Sequence, residues 1–214
     1  MALRIENLAV RRGERLVVSG LSLVAARGEA LLLTGPNGAG KTTLIRAIAG
    51  LLPLAEGAIR LDGTAEDGPP IREQAHYVGH LNGIRPALTV AENAAFWAAF
   101  LGGTPDDVAA ALAQFRLAEL AAVPAGYLSA GQKRRLGLSR LLLARRPVWL
   151  MDEPAVSLDA DSRELLASAT NRYLADGGIV VAATHQPLGL APAREHRLQP
   201  ATSGLAMPAD GDAP

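Results

Sequence analysis

The chain has 214 residues, 49% of them hydrophobic, no cysteine, and 21 basic residues balanced by 21 acidic ones. Length and apolar content point to one domain with a sizeable core and room for an inserted lobe. Zero formal charge argues against a nucleic-acid partner held by bulk positive charge, and the lack of cysteine removes disulfides, thiolate metal sites, iron–sulfur clusters and cysteine nucleophiles.

The N-terminus reads Met1-Ala-Leu-Arg-Ile-Glu-Asn, with no basic segment leading into an apolar one, so no signal peptide is expected. Leu3, Ile5 and Leu8 alternate imperfectly and predict a short strand, and Leu21, Leu23 and Val24 predict another. Arg11-Arg12-Gly13-Glu14 and Ala26-Arg27-Gly28-Glu29 read as turns. Leu31-Leu32-Leu33 is a continuous apolar run of the kind found in buried parallel strands. A glycine-rich loop follows, then a helix from Lys41 to about Leu51. Ala58–Leu61 and Ala75–Val78 predict further strands.

From Thr89 to Ala144 the pattern is helical, with three N-terminal signals. Thr89 with Glu92 and Ser129 with Gln132 have capping-box spacing. Thr104-Pro105-Asp106-Asp107 offers a cap residue, proline at the first helical position and acids on the helix dipole. Val148–Met151 predicts a strand, Asp161–Leu174 a helix and Ile179–Ala183 a buried strand. The segment after Pro200, rich in Ala, Pro, Gly and Asp, is expected to be a disordered tail over 201–214. Leu51–Ala55 and Ala94–Gly103 are too short, or broken by Pro53, to span a membrane, which takes about 20 apolar residues.

Gly35-Pro36-Asn37-Gly38-Ala39-Gly40-Lys41-Thr42 fits the phosphate-loop pattern between a predicted strand and a predicted helix. Glycines let backbone N–H groups converge on phosphate oxygens at the positive end of a helix. Lys41 is expected to reach the β- and γ-phosphates, Thr42 to ligate Mg²⁺, and Thr43 to donate to the α-phosphate. The strand ending in Asp152-Glu153 supplies a second acidic site. Asp152 is expected to hold Mg²⁺, usually through water, and Glu153 to act as general base or to polarise the attacking water.

Leu128-Ser129-Ala130-Gly131-Gln132 lies between these two motifs. That order resembles ABC-type ATPases, whose signature is LSGGQ-like. Ser129 and the free amides of Gly131 and Gln132 would form an anion site at a helix start. The resemblance runs from about Leu3 to Leu198. It implies an α/β fold: a P-loop NTPase of the ABC ATPase type, a RecA-like core with an antiparallel β subdomain and an inserted helical subdomain. One domain is expected over 1–200, the helical subdomain over about 85–145. The resemblance further implies ATP and Mg²⁺ as cofactors and a head-to-tail homodimer that sandwiches ATP. The signature residues Ser129, Ala130, Gly131 and Gln132 would cap the nucleotide held by the other subunit. Asp159, in Ser157-Leu158-Asp159, matches the D-loop, and His185 matches the switch histidine, with a γ-phosphate contact and water orientation as its role. Catalysis would then rest on Glu153, His185 and Lys41.

Two positions depart from the general pattern. Arg12 stands where an adenine-stacking aromatic is usual; a guanidinium plane can also stack on a purine, or the base is held loosely. His80 stands at the usual glutamine position, ten residues before Val90. It is able to contact Mg²⁺-bound water when neutral; Asn82, two positions later on a shorter stem, is a poor substitute.

These oddities, with Val78-Gly79-His80, Arg134-Arg135 after the signature, and Thr184-His185-Gln186-Pro187-Leu188, resemble the ATP-binding subunits of the haem exporter of bacterial cytochrome c biogenesis. That resemblance implies integral membrane permease partners, a peripheral place on the cytoplasmic face of the inner membrane, and ATP hydrolysis that drives haem export or release of a haem-loaded chaperone. Residues Ala94–Leu101 are the candidate docking stretch. The competing readings are an ABC exporter ATPase for a lipid, drug or other small molecule, a soluble ABC ATPase acting on DNA ends, and a non-catalytic scaffold.

Overall fold

The first 26 residues fold as one long hairpin rather than as separate short strands. In the computed structural model, which describes residues 1–63 and 68–200, β1 (Ala2–Arg12) pairs antiparallel with β2 (Arg15–Ala26). Register shifts between Ile5 and Val10 leave Leu8, Ala9 and Val10 buried in succession. Those bulges explain the imperfect alternation in the sequence. The turn closes at Gly13, whose φ is +58°.

After β3 (Ala30–Thr34) come the glycine-rich loop and α1 (Lys41–Ile48). The helix stops short of Leu51 because Gly50 turns left-handed, at φ +70°. β4 (Glu56–Leu61) then lines the other side of β1, giving a three-stranded antiparallel sheet in the order β2-β1-β4.

A four-residue helix, α2 (Ile71–Gln74), leads into β5 (Ala75–Val78). The helical stretch carries α3 (Val90–Leu101), α4 (Pro105–Gln114) and α5 (Ala130–Ser139). Both expected capping boxes form, and the expected cap at Thr104 closes a third with Asp107. Thr89, Thr104 and Ser129 each accept the backbone N–H three residues on, and Glu92, Asp107 and Gln132 reach back to the cap amides at 2.7–2.8 Å.

The chain returns to the sheet in β6 (Val148–Asp152), crosses α6 (Ala160–Ala175) and re-enters as β7 (Ile179–Ala183). A last strand, β8 (Ala193–Arg197), has no counterpart among the sequence expectations. Its residues are charged and mostly exposed, as an edge strand requires, so no apolar pattern marks it. The second sheet is fully parallel, in the order β5-β6-β7-β3-β8.

Both faces of this sheet are covered. Val148, Leu150, Ile179 and Val181 pack with α1 and the antiparallel sheet, whereas Trp149, Met151, Val180 and Ala182 pack with the helical side. That is why β6 and β7 read as unbroken apolar runs. The glycine-rich loop, Asp152 and Thr184 all follow the carboxyl ends of parallel strands, the edge where open α/β sheets place their sites. The tail expected over 201–214 lies outside the described residues.

Candidate nucleotide site

Three left-handed glycines shape the loop between β3 and α1. Gly35, Gly38 and Gly40 have φ of +126°, +81° and +96°. Gly35 also packs against the backbone of Leu198, leaving no room for a Cβ, and a Cβ on Gly40 would lie 3.0 Å from Val17 Cγ1. Lys41 is buried, and its ammonium donates to the carbonyls of Gly35 (2.8 Å) and Pro36 (3.1 Å). The lysine therefore arches over its own loop. Ala39, in the loop, and Thr43, on the first turn of α1, are buried as well.

Asp152 ends β6 beside this loop and is only 3% exposed. Thr42 Oγ1 donates to Asp152 Oδ1 at 2.9 Å. A hydroxyl and a carboxylate at this distance form a hard-oxygen pair suited to a divalent cation such as Mg²⁺ that keeps phosphate and water in its remaining positions. Among the described residues no cluster of three or more His, Cys, Asp or Glu is placed to hold a metal ion.

Glu153 follows with φ +49°, a conformation uncommon for a residue with a side chain. Its carboxylate turns toward His185: Oε1 lies 3.4 Å from His185 Nε2, and the His185 backbone N–H approaches Oε2 at 3.4 Å. Thr184 pins the strand end by donating its N–H to Leu33 O and its hydroxyl to Gln186 O. His185 is thereby held out of the core, beside the carboxylate.

Part of this set opens on one cavity of about 840 Å³, whereas Gly35, Pro36, Ala39 and Asp152 are not in its wall. Arg12, Asn37, Gly38, Gly40, Lys41, Thr42, Thr43, His80, Glu153 and His185 line it, so residues distant in sequence converge as expected. Arg15, Val17, Val156 and Gln186 line it too and were not foreseen. Arg15 is the cross-strand partner of Arg12 in the hairpin register, a signal present in the turn itself. Asn82 is absent from the wall; its Oδ1 accepts from Arg134 at 3.1 Å.

The signature residues stand apart. Ser129, Ala130, Gly131 and Gln132 open α5 and do not line the cavity. One detail is corrected: the Gln132 amide, expected to be free, donates to Ser129 Oγ at 3.2 Å. Asp159 caps α6 by accepting from Ser162 N–H at 2.8 Å, and hydrogen bonding from the Ser162 side chain first, and its backbone second, holds the carboxyl below the usual range.

Comparison with known proteins gives the arrangement a family. The family model described as "ABC transporter" matches residues 18–156. A solved structure of the ATP-binding subunit of an ABC transporter superposes with a TM-score of 0.77 at 28% identity, covering 86% of this chain and 80% of that one. The cytochrome c biogenesis ATP-binding export protein CcmA of Rhodopseudomonas palustris (strain BisB5) is 54% identical, over 87% of this chain and 92% of the relative. The CcmA of Nitrobacter winogradskyi is 51% identical, over 92% of this chain and 98% of its own. The chain belongs to the ABC transporter ATP-binding family, among the cytochrome c biogenesis ATP-binding export proteins.

Proposed function

We propose that this ABC ATPase powers haem export or delivery for bacterial cytochrome c maturation. The reading is carried by its 54% identity, over nearly the whole of both chains, to a protein named for that export step. Its chemistry is the hydrolysis of ATP to ADP and phosphate.

The place of each residue supports the role assigned to it. The loop from Gly35 to Gly40 presents backbone N–H groups at the start of α1, where the helix dipole favours phosphate. Lys41 leaves its loop carbonyls for the β- and γ-phosphate oxygens, and Thr43 donates to the α-phosphate. Thr42 and Asp152 would hold Mg²⁺, which would neutralise phosphate charge. Glu153 accepts a hydrogen bond from the attacking water and orients it along the γ-phosphate. His185, at 3.4 Å, steadies that carboxylate and contacts the γ-phosphate. Arg12 and Arg15, at the cavity mouth, supply planar cations for the base in place of an aromatic ring.

Ser129–Gln132 lie outside this cavity, so the γ-phosphate is capped by the signature of a second copy in a head-to-tail dimer, with Asp159 in the D-loop near the seam. The motor sits peripherally on the cytoplasmic face of the inner membrane, docked to integral permease subunits. The exposed Phe96 and Phe100 on α3 are the docking face.

The test of the catalytic assignment is Glu153→Gln. ATP affinity stays within about threefold while turnover falls at least about a hundredfold; normal hydrolysis sinks the assignment. Co-purification from native membranes tests the cargo: cytochrome-assembly subunits support the haem reading, and a generic exporter permease in their place rejects it.

A further inference from the structure

Arg134 lies on α5, just past the signature, and is 4% exposed. A guanidinium in that position needs acceptors for its donors. Nε donates to Pro154 O at 3.2 Å and Nη2 to Glu153 O at 2.8 Å. Nη1 donates to Gly79 O at 2.8 Å and to Asn82 Oδ1 at 3.1 Å. Among the described residues the arginine is thus bonded to no carboxylate. Its fork is divided between two backbone segments, and each borders the nucleotide cavity.

The first segment carries Glu153, whose left-handed backbone persists only where its surroundings fix it. Three bonds do so: Glu153 N–H donates to Ala183 O at 2.9 Å, and Glu153 O accepts from Arg134 Nη2 at 2.8 Å and, more weakly, from Val156 N–H at 3.3 Å. The second segment, Gly79 to Asn82, brackets His80. Burial of its own side chains does not hold it, since Leu81 is 82% exposed. It rests instead on α5, where a Cβ on Gly137 would lie 2.9 Å from Asn82 Oδ1. Loop, helix and strand end therefore meet at one side chain.

We propose that Arg134, with Asn82, is the positioning group of the hydrolytic site: it fixes the backbone of Glu153 opposite His185 and locks the His80 loop to the signature helix. The inference rests on the reading of Glu153 as the residue that orients water. Arg134 touches no reacting atom. It acts through the carbonyl of Glu153, so its loss displaces the carboxylate without removing a nucleotide contact.

Three variants of the full chain test this beside Glu153→Gln, each read by steady-state ATPase, titration with a fluorescent ATP analogue and thermal melting. Arg134→Met keeps the stem and removes every donor. It lowers kcat by about tenfold or more, with KM and nucleotide affinity within about threefold. Arg134→Lys recovers part of the loss, because an ammonium can serve some of the same carbonyls. Asn82→Ala removes the side-chain half of the loop tie, leaves the Arg134–Gly79 O bond, and lowers kcat by about threefold at unchanged melting temperature. Full kcat in folded Arg134→Met overturns the proposal, as does a kcat that falls only with the folded fraction. If Arg134→Met does not fold, Asn82→Ala decides, and an unchanged kcat there rejects the tie. An active Glu153→Gln rejects the underlying reading. An inactive Glu153→Gln beside a fully active Arg134→Met rejects the positioning role alone.

Discussion

His76 and His185 both sit in or after apolar strands, yet they meet opposite environments. His76 is 3% exposed and donates from Nε2 to Ala144 O at 2.7 Å. Burial pushes its pKa down to about 4, helped by the nearby charges of Arg146 and Arg140 and only partly opposed by the carbonyl. The folded state thus binds its proton less readily than the unfolded state does. Stability from neutral His76 is present above pH 6.5 and drains away as the pH falls toward 4. The expected loss over that window is about 3 kcal/mol. His76→Gln keeps a donor but does not titrate. Chemical denaturation at pH 7 and pH 4 should show the wild type losing about that much more than the variant; equal losses would mean that His76 is not held neutral. At this scale the sequence was legible where the backbone alone dictates the site. Spacing within one loop delivers Lys41 and Thr42, and a strand end delivers Asp152 and Glu153. Arg15, Val17, Val156 and Gln186 enter the cavity only through strand register and the meeting of separate loops, which no local pattern encodes.

Helix starts were the most legible elements, because a capping box is a local exchange of two hydrogen bonds within four residues. Thr89, Thr104 and Ser129 all cap as their spacing demands. Strands were less so. Bulges blur the alternation of β1 and make it read shorter than it is, and β8 hides among charged residues because it pairs on one side only. Two of the caps allow stability to be separated from function. Thr104→Ala and Ser129→Ala each remove a similar hydrogen bond and should each cost about 1 kcal/mol of folding stability. Thr104 opens α4, away from the cavity, and its loss should leave ATP turnover intact. Ser129 opens the signature helix, so its alanine variant should lose turnover beyond what the stability change explains. Parallel melting curves and ATPase assays check this; equal activity in the two variants would make Ser129 a cap and nothing more.

On the scale of the molecule, the cavity and the α3 surface are joined by packed groups. Phe96, Trp97 and Phe100 form edge-to-face ring contacts at 5.6 and 5.7 Å between centroids. Phe96 is 48% exposed and Phe100 72%, so this cluster leaves apolar rings in solvent. Trp97 anchors it inward: Nε1 donates to Gly83 O at 3.0 Å, and the Arg140 guanidinium stacks over its ring at 4.4 Å. Gly83 directly follows Asn82, the residue tied to Arg134 and thence to Glu153. A partner seated on the two phenylalanines would therefore press on the loop that carries His80. Burying a phenylalanine is worth about 1.5–3 kcal/mol, so replacing both should weaken binding of the proposed membrane subunit by roughly a hundredfold or more. Phe96→Ser with Phe100→Ser removes exposed surface, so the melting temperature and the ATPase activity of the isolated chain should stay near wild type. What should disappear is co-purification of the double variant with its membrane subunit. Recovery of that subunit in full amounts would place the docking surface elsewhere on the molecule, and α3 would then be apolar for a reason unrelated to assembly.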